Sequence, residues 1–276
     1  MTAAPFLARR ERFARVGSTN DIVRDWLEAG TPEVCLAVAD EQTAGRGRDG
    51  RTWTAPPGAG LLLSVGFRPT WLEPERSWRL VACVALAMAD AAEAVAALAA
   101  RSIRLKWPND LIVEAEDGAV RKLAGLLGET IGLGTSEPRT IVGIGLNADW
   151  KAVDFPVEIA PSMTSLREVA AGRPVDRDAL LAGFLQRLEE RIVALRAGRF
   201  DVASWVARQL TDGRPVRLEL PGGDSTVARA LGVDPASGGL VVEDPDAPGR
   251  KRIVLTGEIL HLRLAAAPID AEPAEV

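Results

Sequence analysis

Histidine occurs once in this chain of 276 residues, cysteine twice and lysine four times. Each scarcity removes a class of chemistry. Cys35 and Cys83 lie far apart in apolar runs without metal-ligand spacing, so neither a zinc site nor a disulfide framework is encoded, and both read as buried thiols in a reducing compartment. His261 stands far from every other motif and reads as structural. There is no Gly-Lys-Ser/Thr phosphate loop and no internal repeat. The first fifteen residues contain no apolar signal core, and the longest apolar run, residues 80–100, is mostly alanine and is interrupted by Asp90 and Glu93. These features lead us to expect a cytoplasmic protein with no membrane segment. Excess basic charge is missing too. A net charge of −5 and a pI near 5.2 exclude bulk affinity for nucleic acid, so any anion must be bound locally.

What is present suffices for a large core: 47% of the residues are hydrophobic. Apolar runs at 34–39, 61–67, 103–107, 111–113, 120–129 and 140–146 read as strands. Helices are expected after Ser18 or Thr19, either of which can serve as N-cap, and over 78–100, 165–170, 176–196 and 200–210. Glu116-Asp117-Gly118 reads as a hairpin turn. Beyond residue 211 the texture changes to short strands at 216–220, 226–233, 239–242, 252–255 and 258–264, which suggests a small barrel.

The stretch Gly45-Arg46-Gly47-Arg48-Asp49-Gly50-Arg51-Thr52-Trp53 suits neither helix nor strand. Its glycines permit positive φ and close approach, its guanidiniums match phosphate or carboxylate oxygens, and Trp53 offers a stacking surface. Gly143 and Gly145, spaced along one strand, mark close approach by a ligand or another backbone. Three further signals accompany the loop: Ser18-Thr19-Asn20, Lys106-Trp107-Pro108-Asn109-Asp110 and Lys122-Leu123-Ala124-Gly125, with Gln42 just ahead of the loop itself.

In that order and spacing these blocks resemble the biotin protein ligases, and Gly-Ile-Gly-Leu-Asn at 143–147 fits as well. The resemblance covers roughly residues 16–150 by specific motifs. It implies an α+β fold: a central mixed β-sheet catalytic domain with helices, biotin/lipoate ligase-like, over residues 1–211. A small SH3-like C-terminal β-barrel would span 212–265, followed by a tail at 266–276. It implies activation of biotin by ATP with Mg²⁺ to biotinyl-5′-adenylate, then transfer to a lysine of a biotin carboxyl carrier domain. Ser18, Thr19, Asn20, Gln42, Gly45, Arg46, Gly47, Arg48, Lys122 and Gly125 would line the biotin site. Arg46, Arg48, Arg51, Trp53, Lys106, Asn109, Lys122 and Asn147 would hold the nucleotide. Arg48 and Lys122 would serve catalysis, Asp110 would help hold magnesium, and Trp107 would be core. The loop would be mobile when empty and close over the adenylate. Only about fifteen residues precede the first motif, so the expected form has no DNA-binding domain; a homodimer is left open. The rival readings are a lipoate or octanoate ligase or transferase of related fold, and a non-catalytic protein that binds nucleic acid or an adenylate.

Overall fold

The computed structural model describes residues 5–115, 118–220, 222–244, 247, 249–256 and 261–264. The chain divides into two compact units, one of Met1–Leu105 with Asn109–Arg208, the other of Lys106–Pro108 with Gln209–Val276.

The first unit is built on a seven-stranded mixed sheet. In chain order its elements are β1 (Arg9–Phe13), α1 (Thr19–Glu28), β2 (Cys35–Ala39), β3 (Gly60–Phe67), α2 (Trp78–Ala96), β4 (Ile103–Lys106), β5 (Asp110–Glu114), β6 (Val120–Ile131), β7 (Arg139–Asn147), α3 (Leu166–Val169), α4 (Arg177–Arg196) and α5 (Val202–Ala207). The strand order is β1-β2-β3-β7-β6-β5-β4; β1 runs parallel to β2, whereas β2-β3, β3-β7, β7-β6 and β6-β5 are antiparallel. Strand β1 falls in what reads as a polar lead-in: at the sheet edge only every second residue is partly buried.

Side chains alternate across a sheet, which decides what each face carries. On one face Val23, Trp26 and Leu27 of α1 pack on Cys35, Ala37 and Ile141. Full burial of such side chains contributes about 1.5–3 kcal/mol each. Gly66 lies under α1 because a Cβ there would meet Cys35 Sγ and Val23 Cγ1, both at 2.6 Å. The opposite face, where Gly128 looks toward Val81 of α2, is covered by α2, with α4 packed against α2. Alanine dominates α2 and most of its residues are buried, which lets α4 approach closely. Helix α2 stops at Ala96 rather than Ala100, since Ala97 turns left-handed (φ 52°) and its amide bonds back into the last turn. The helix expected over 200–210 is shorter, beginning after the Asp201 cap, whose carboxylate accepts from Ser204 N–H. Behind it the Arg208 guanidinium, 5% exposed, bonds Glu93 at 2.7 Å, Asp90 at 2.5 Å and the Ile103 carbonyl at 2.7 Å.

The second unit carries β8 (Pro215–Glu219), β9 (Ser225–Val233), β10 (Leu240–Glu243), β11 (Lys251–Val254) and β12 (His261–Leu264), in the order β11-β10-β9-β8-β12. All four pairings are antiparallel, and among the described residues no further pairing closes this sheet into the expected barrel. Trp107 is buried within this unit, its indole N–H donating to the Gly238 carbonyl at 3.0 Å, as a core residue would. The His261 side chain, residues 116–117 of the expected hairpin turn, residues 258–260 and the tail lie outside the described residues. No helix among the described residues is long and apolar enough to cross a membrane.

Candidate active site

The site lies on the α1 face of the first unit, where the sequence leaves the sheet without side chains. In the β6-β7 register Gly125 stands opposite Gly145, with Leu127 opposite Gly143 two pairs further along, on the same face. What approaches these glycines is side chain, not backbone. A Cβ on Gly143 would lie 2.2 Å from Asn20 Oδ1, and one on Gly145 would lie 2.3 Å from Trp53 Nε1.

The polar end begins at the start of α1. Ser18 occupies the N-cap position, but its side chain caps nothing; the Thr19 N–H donates instead to Gln42 Oε1 at 2.7 Å. Gln42 is delivered there by a parallel bridge to Val16, with Thr43 N–H bonded to the Val16 carbonyl at 2.9 Å. The Thr19 hydroxyl lies 2.9 Å from Gln42 Oε1 and 2.7 Å from Ser64 Oγ, which in turn lies 2.6 Å from Asn20 Oδ1. Asn20 Nδ2 donates to Glu129 Oε2 at 2.6 Å. Ser18, Thr19, Asn20 and Ser64 are all buried.

The glycine-arginine loop is a small hairpin. Arg46 bridges Thr52, Gly47 N–H donates to the Arg51 carbonyl at 2.6 Å and Trp53 N–H to the Gly45 carbonyl at 2.9 Å. Its tip, Arg48–Gly50, is one 3₁₀ turn with Asp49 and Gly50 at φ 56° and 72°. Gly45 must be glycine, because a Cβ would meet the Trp53 carbonyl oxygen at 2.4 Å. Arg46 forks onto Asp21 at 2.8 and 2.7 Å. That hydrogen-bonded pair lowers the Asp21 pKa and raises that of Arg46. Arg24 joins Asp21 to Glu129, which lies 3.8 Å from Arg46. Arg51 pairs with Asp49 at 3.6 Å, and Arg48 sits half-buried in the same turn.

Beyond the loop, the Trp53 indole rests on Gly145 and reaches Gly125. Lys122 Nζ stands 5.3 Å from its ring centre, in cation–π range. A bulge between Leu111 and Ile112 shifts the β5-β6 register so that Lys122 faces Asp110, 2.7 Å from Nζ to carboxylate. Asn109 Nδ2 is spent on the Leu126 carbonyl at 2.8 Å. Asn147, fully buried at the end of β7, donates Nδ2 to the Thr164 carbonyl at 2.9 Å, while its Oδ1 and the Trp53 indole N–H are buried without a partner. Buried polar atoms of this kind occur also at Arg139, Trp150 and Thr211, and each is a place where a water or a ligand can bond.

The expected residues thus divide into clusters joined through Gly45, which borders both Gln42 Nε2 and Trp53. Thr19, Asn20, Gln42 and Arg46 form the polar end; Trp53, Lys122, Gly125 and Asp110 form the other. Lys106 ends β4 and is counted with the second unit. Asp110, expected to hold magnesium, is engaged by Lys122, and among the described residues no three histidine, cysteine or acidic side chains group to hold a metal. Magnesium carried on nucleotide phosphates asks for only one or two protein carboxylates and not for a cage of this kind. Ser64 and Glu129, absent from the expected set, prove central; Ser64 is a lone hydroxyl in an otherwise apolar strand, and Glu129 ends a Gly-Leu-Leu-Gly run. A cleft of about 540 Å³ lined by Cys83, Asp90, Arg191 and Phe200 lies at the α2-α4 pair instead, its Arg191 already paired with Asp90 and Asp201.

Comparison with known proteins places the chain in a family. The model of the biotin/lipoate A/B protein ligase family matches residues 12–147. The biotin–[acetyl-CoA-carboxylase] ligase of Mycobacterium tuberculosis is 36% identical over 253 residues, covering 91% of this chain and 88% of that protein. The bifunctional ligase/repressor BirA of Bacillus subtilis is 30% identical over 221 residues, and the match spans 65% of its length. A solved biotin protein ligase from Aquifex aeolicus in complex with biotin and ATP superposes with a TM-score of 0.74 at 27% identity, covering 93% of this chain and 99% of that one. On its motifs, its fold and these relatives, the chain belongs to the biotin protein ligases of the biotin/lipoate A/B protein ligase family.

Proposed function

We propose that this enzyme joins biotin to ATP, releasing pyrophosphate, and passes the biotinyl group from the adenylate to a lysine of a biotin carboxyl carrier domain, releasing AMP. The observation that carries the reading is the junction of two unlike surfaces. A cluster of hydroxyls and amides (buried Thr19, Asn20 and Ser64 with half-buried Gln42) adjoins a glycine strip covered by Trp53 and ending at Lys122. A ligand with a polar ring, an apolar middle and an anionic end matches that sequence of surfaces.

The chemistry asks little of the protein beyond placement and charge. A carboxylate oxygen of biotin bonds to the α-phosphorus as the bond to pyrophosphate breaks. The carrier amine then attacks the acyl carbon, AMP leaves and the amine gives up a proton. Lys122, aimed by Asp110, and Arg48 would offset the negative charge where carboxylate and α-phosphate meet. Ser18, Thr19, Asn20, Gln42 and the loop backbone at Gly45 and Gly47 would surround the biotin end, over Gly125. Arg46, Arg51, Trp53, Lys106, Asn109 and Asn147 would serve the nucleotide, the unpartnered Asn147 Oδ1 as an acceptor for an amino group.

The test is biotin-dependent exchange of labelled pyrophosphate into ATP, followed by labelling of an apo carrier domain. Lys122→Ala and Arg48→Gly should lose about 100-fold or more in exchange while still folded, the scale seen when a charge-stabilising group is removed. Exchange with lipoate or octanoate but not biotin would refute the assignment, as would native rates in both variants.

A further inference from the structure

Glu129 touches none of the groups assigned to the reacting centre, yet it ends a hydrogen-bond chain whose protons can be counted. Three oxygen–oxygen contacts link Gln42, Thr19, Ser64 and Asn20, at 2.9, 2.7 and 2.6 Å. Only the two hydroxyls can supply protons to them. Neither amide can turn to make up the deficit. Gln42 must present Oε1 because the Thr19 backbone N–H donates to it, and Asn20 must present Oδ1 because its Nδ2 is held by Glu129 at 2.6 Å. Whichever contact goes without, two lone pairs face each other at hydrogen-bond distance in a cluster whose Thr19, Asn20 and Ser64 are buried and whose Gln42 is half-buried. A donor arriving past Gln42, from water or from a ligand, relieves that.

We propose that Glu129 is a positioning residue: by holding the Asn20 amide it makes this pocket accept hydrogen bonds, and so selects a ligand ring that brings N–H groups. Arg24 at 2.9 Å and Arg46 at 3.8 Å flank the carboxylate and fix it beside α1. Gly143 lets the Asn20 amide lie flat on the sheet, where any Cβ would strike it. With Glu129 neutralised, Asn20 turns, its Nδ2 supplies the missing proton to Ser64, and the pocket loses its acceptor character.

The inference rests on the proposed biotin reading, whose ureido ring carries two N–H groups. Its test compares biotin with the two cyclic carbamates in which one or the other ureido N–H is replaced by oxygen, a change that removes a donor without adding bulk. In pyrophosphate exchange the native enzyme should prefer biotin over the poorer carbamate by about tenfold or more in kcat/KM, because the carbamate oxygen meets an unprotonated acceptor. Glu129→Gln should raise KM for biotin about tenfold, leave kcat within about threefold and shrink the biotin-to-carbamate ratio at least about fivefold, since residue and ligand group are coupled. If Glu129→Gln is not recovered folded, Glu129→Ala must show the same shift in ratio. A merely structural Glu129 predicts that the two losses multiply and the ratio stays constant, which would overturn the proposal, as would a native preference under about threefold. Native enzyme that exchanges with none of the three compounds overturns the biotin reading itself.

Discussion

Gly145→Ala should disable the site by adding one methyl group. The new Cβ would stand 2.3 Å from Trp53 Nε1, 2.5 Å from Cε2 and 2.8 Å from Cδ1. Ordinary contact needs about 3.5 Å, so the indole must retreat by roughly 1 Å. The strand cannot yield in its place, because Gly145 is paired on both sides, with Leu62 of β3 and Gly125 of β6. Overpacking of this kind costs about 1–3 kcal/mol, and a weakened Lys122–indole contact adds about 0.5–1 kcal/mol. With the displaced indole serving the nucleotide, about 1–3 kcal/mol becomes a rise in KM for ATP of about 5- to 150-fold. Two assays read it: exchange kinetics against ATP, and the rate of tryptic cleavage after Arg46, Arg48 and Arg51, which should increase as Trp53 N–H loses its seat on the Gly45 carbonyl. Gly17→Ala is the control, since Gly17 has open space around its Cβ position and no positive φ. Native KM and native cleavage in Gly145→Ala would refute the claim that the loop is anchored on bare sheet.

Other perturbations test other joints. Arg208→Ala should lose about 3–5 kcal/mol in urea unfolding, because it strands Glu93 and Asp90 around an almost fully buried position. The Arg12 guanidinium at 2.9 Å, aided by Arg177 at 3.0 Å, holds the Asp40 carboxyl below its ordinary 3.8. That stabilisation is complete above the unfolded pKa and is lost as pH falls through the lower folded value, so native protein should exceed Asp40→Asn in stability at pH 7 and the gap should close toward pH 3. Burial pushes Cys35 up to about 11 and Cys83 up to about 12. At pH 7.5 neither thiol should react with a disulfide reagent until denaturant is added; one fast equivalent in native protein would contradict their burial.

Much of the sheet is legible because fully buried strands read as unbroken apolar runs, as at 35–39 and 60–67. Strand β1 is not, since an edge strand of four charged residues and Phe13 carries no such run; its place depends on pairing with β2, 22 residues or more downstream. The glycine-arginine loop and the Lys122 block announce themselves by composition. Glu129 and Ser64 do not, because their importance comes from what folding sets beside them: Asn20 lies 109 residues from Glu129 and 44 from Ser64. Gly143 and Gly145 were legible as points of close approach, but not the identity of the side chains that fill them.

The facing glycines of β6 and β7 have a consequence for the lifetime of the protein. Two strands that elsewhere carry leucine and isoleucine carry no side chain of their own here, and the fold covers them instead with the Trp53 indole and the Asn20 amide, borrowed from the loop and from α1. A vitamin bound against that borrowed cover would hold it in place and stabilise the native state by about 2.7 kcal/mol at a hundredfold excess over its dissociation constant. Starved of it, the same molecules would unfold and be degraded sooner, so that abundance would follow supply without any regulator of transcription.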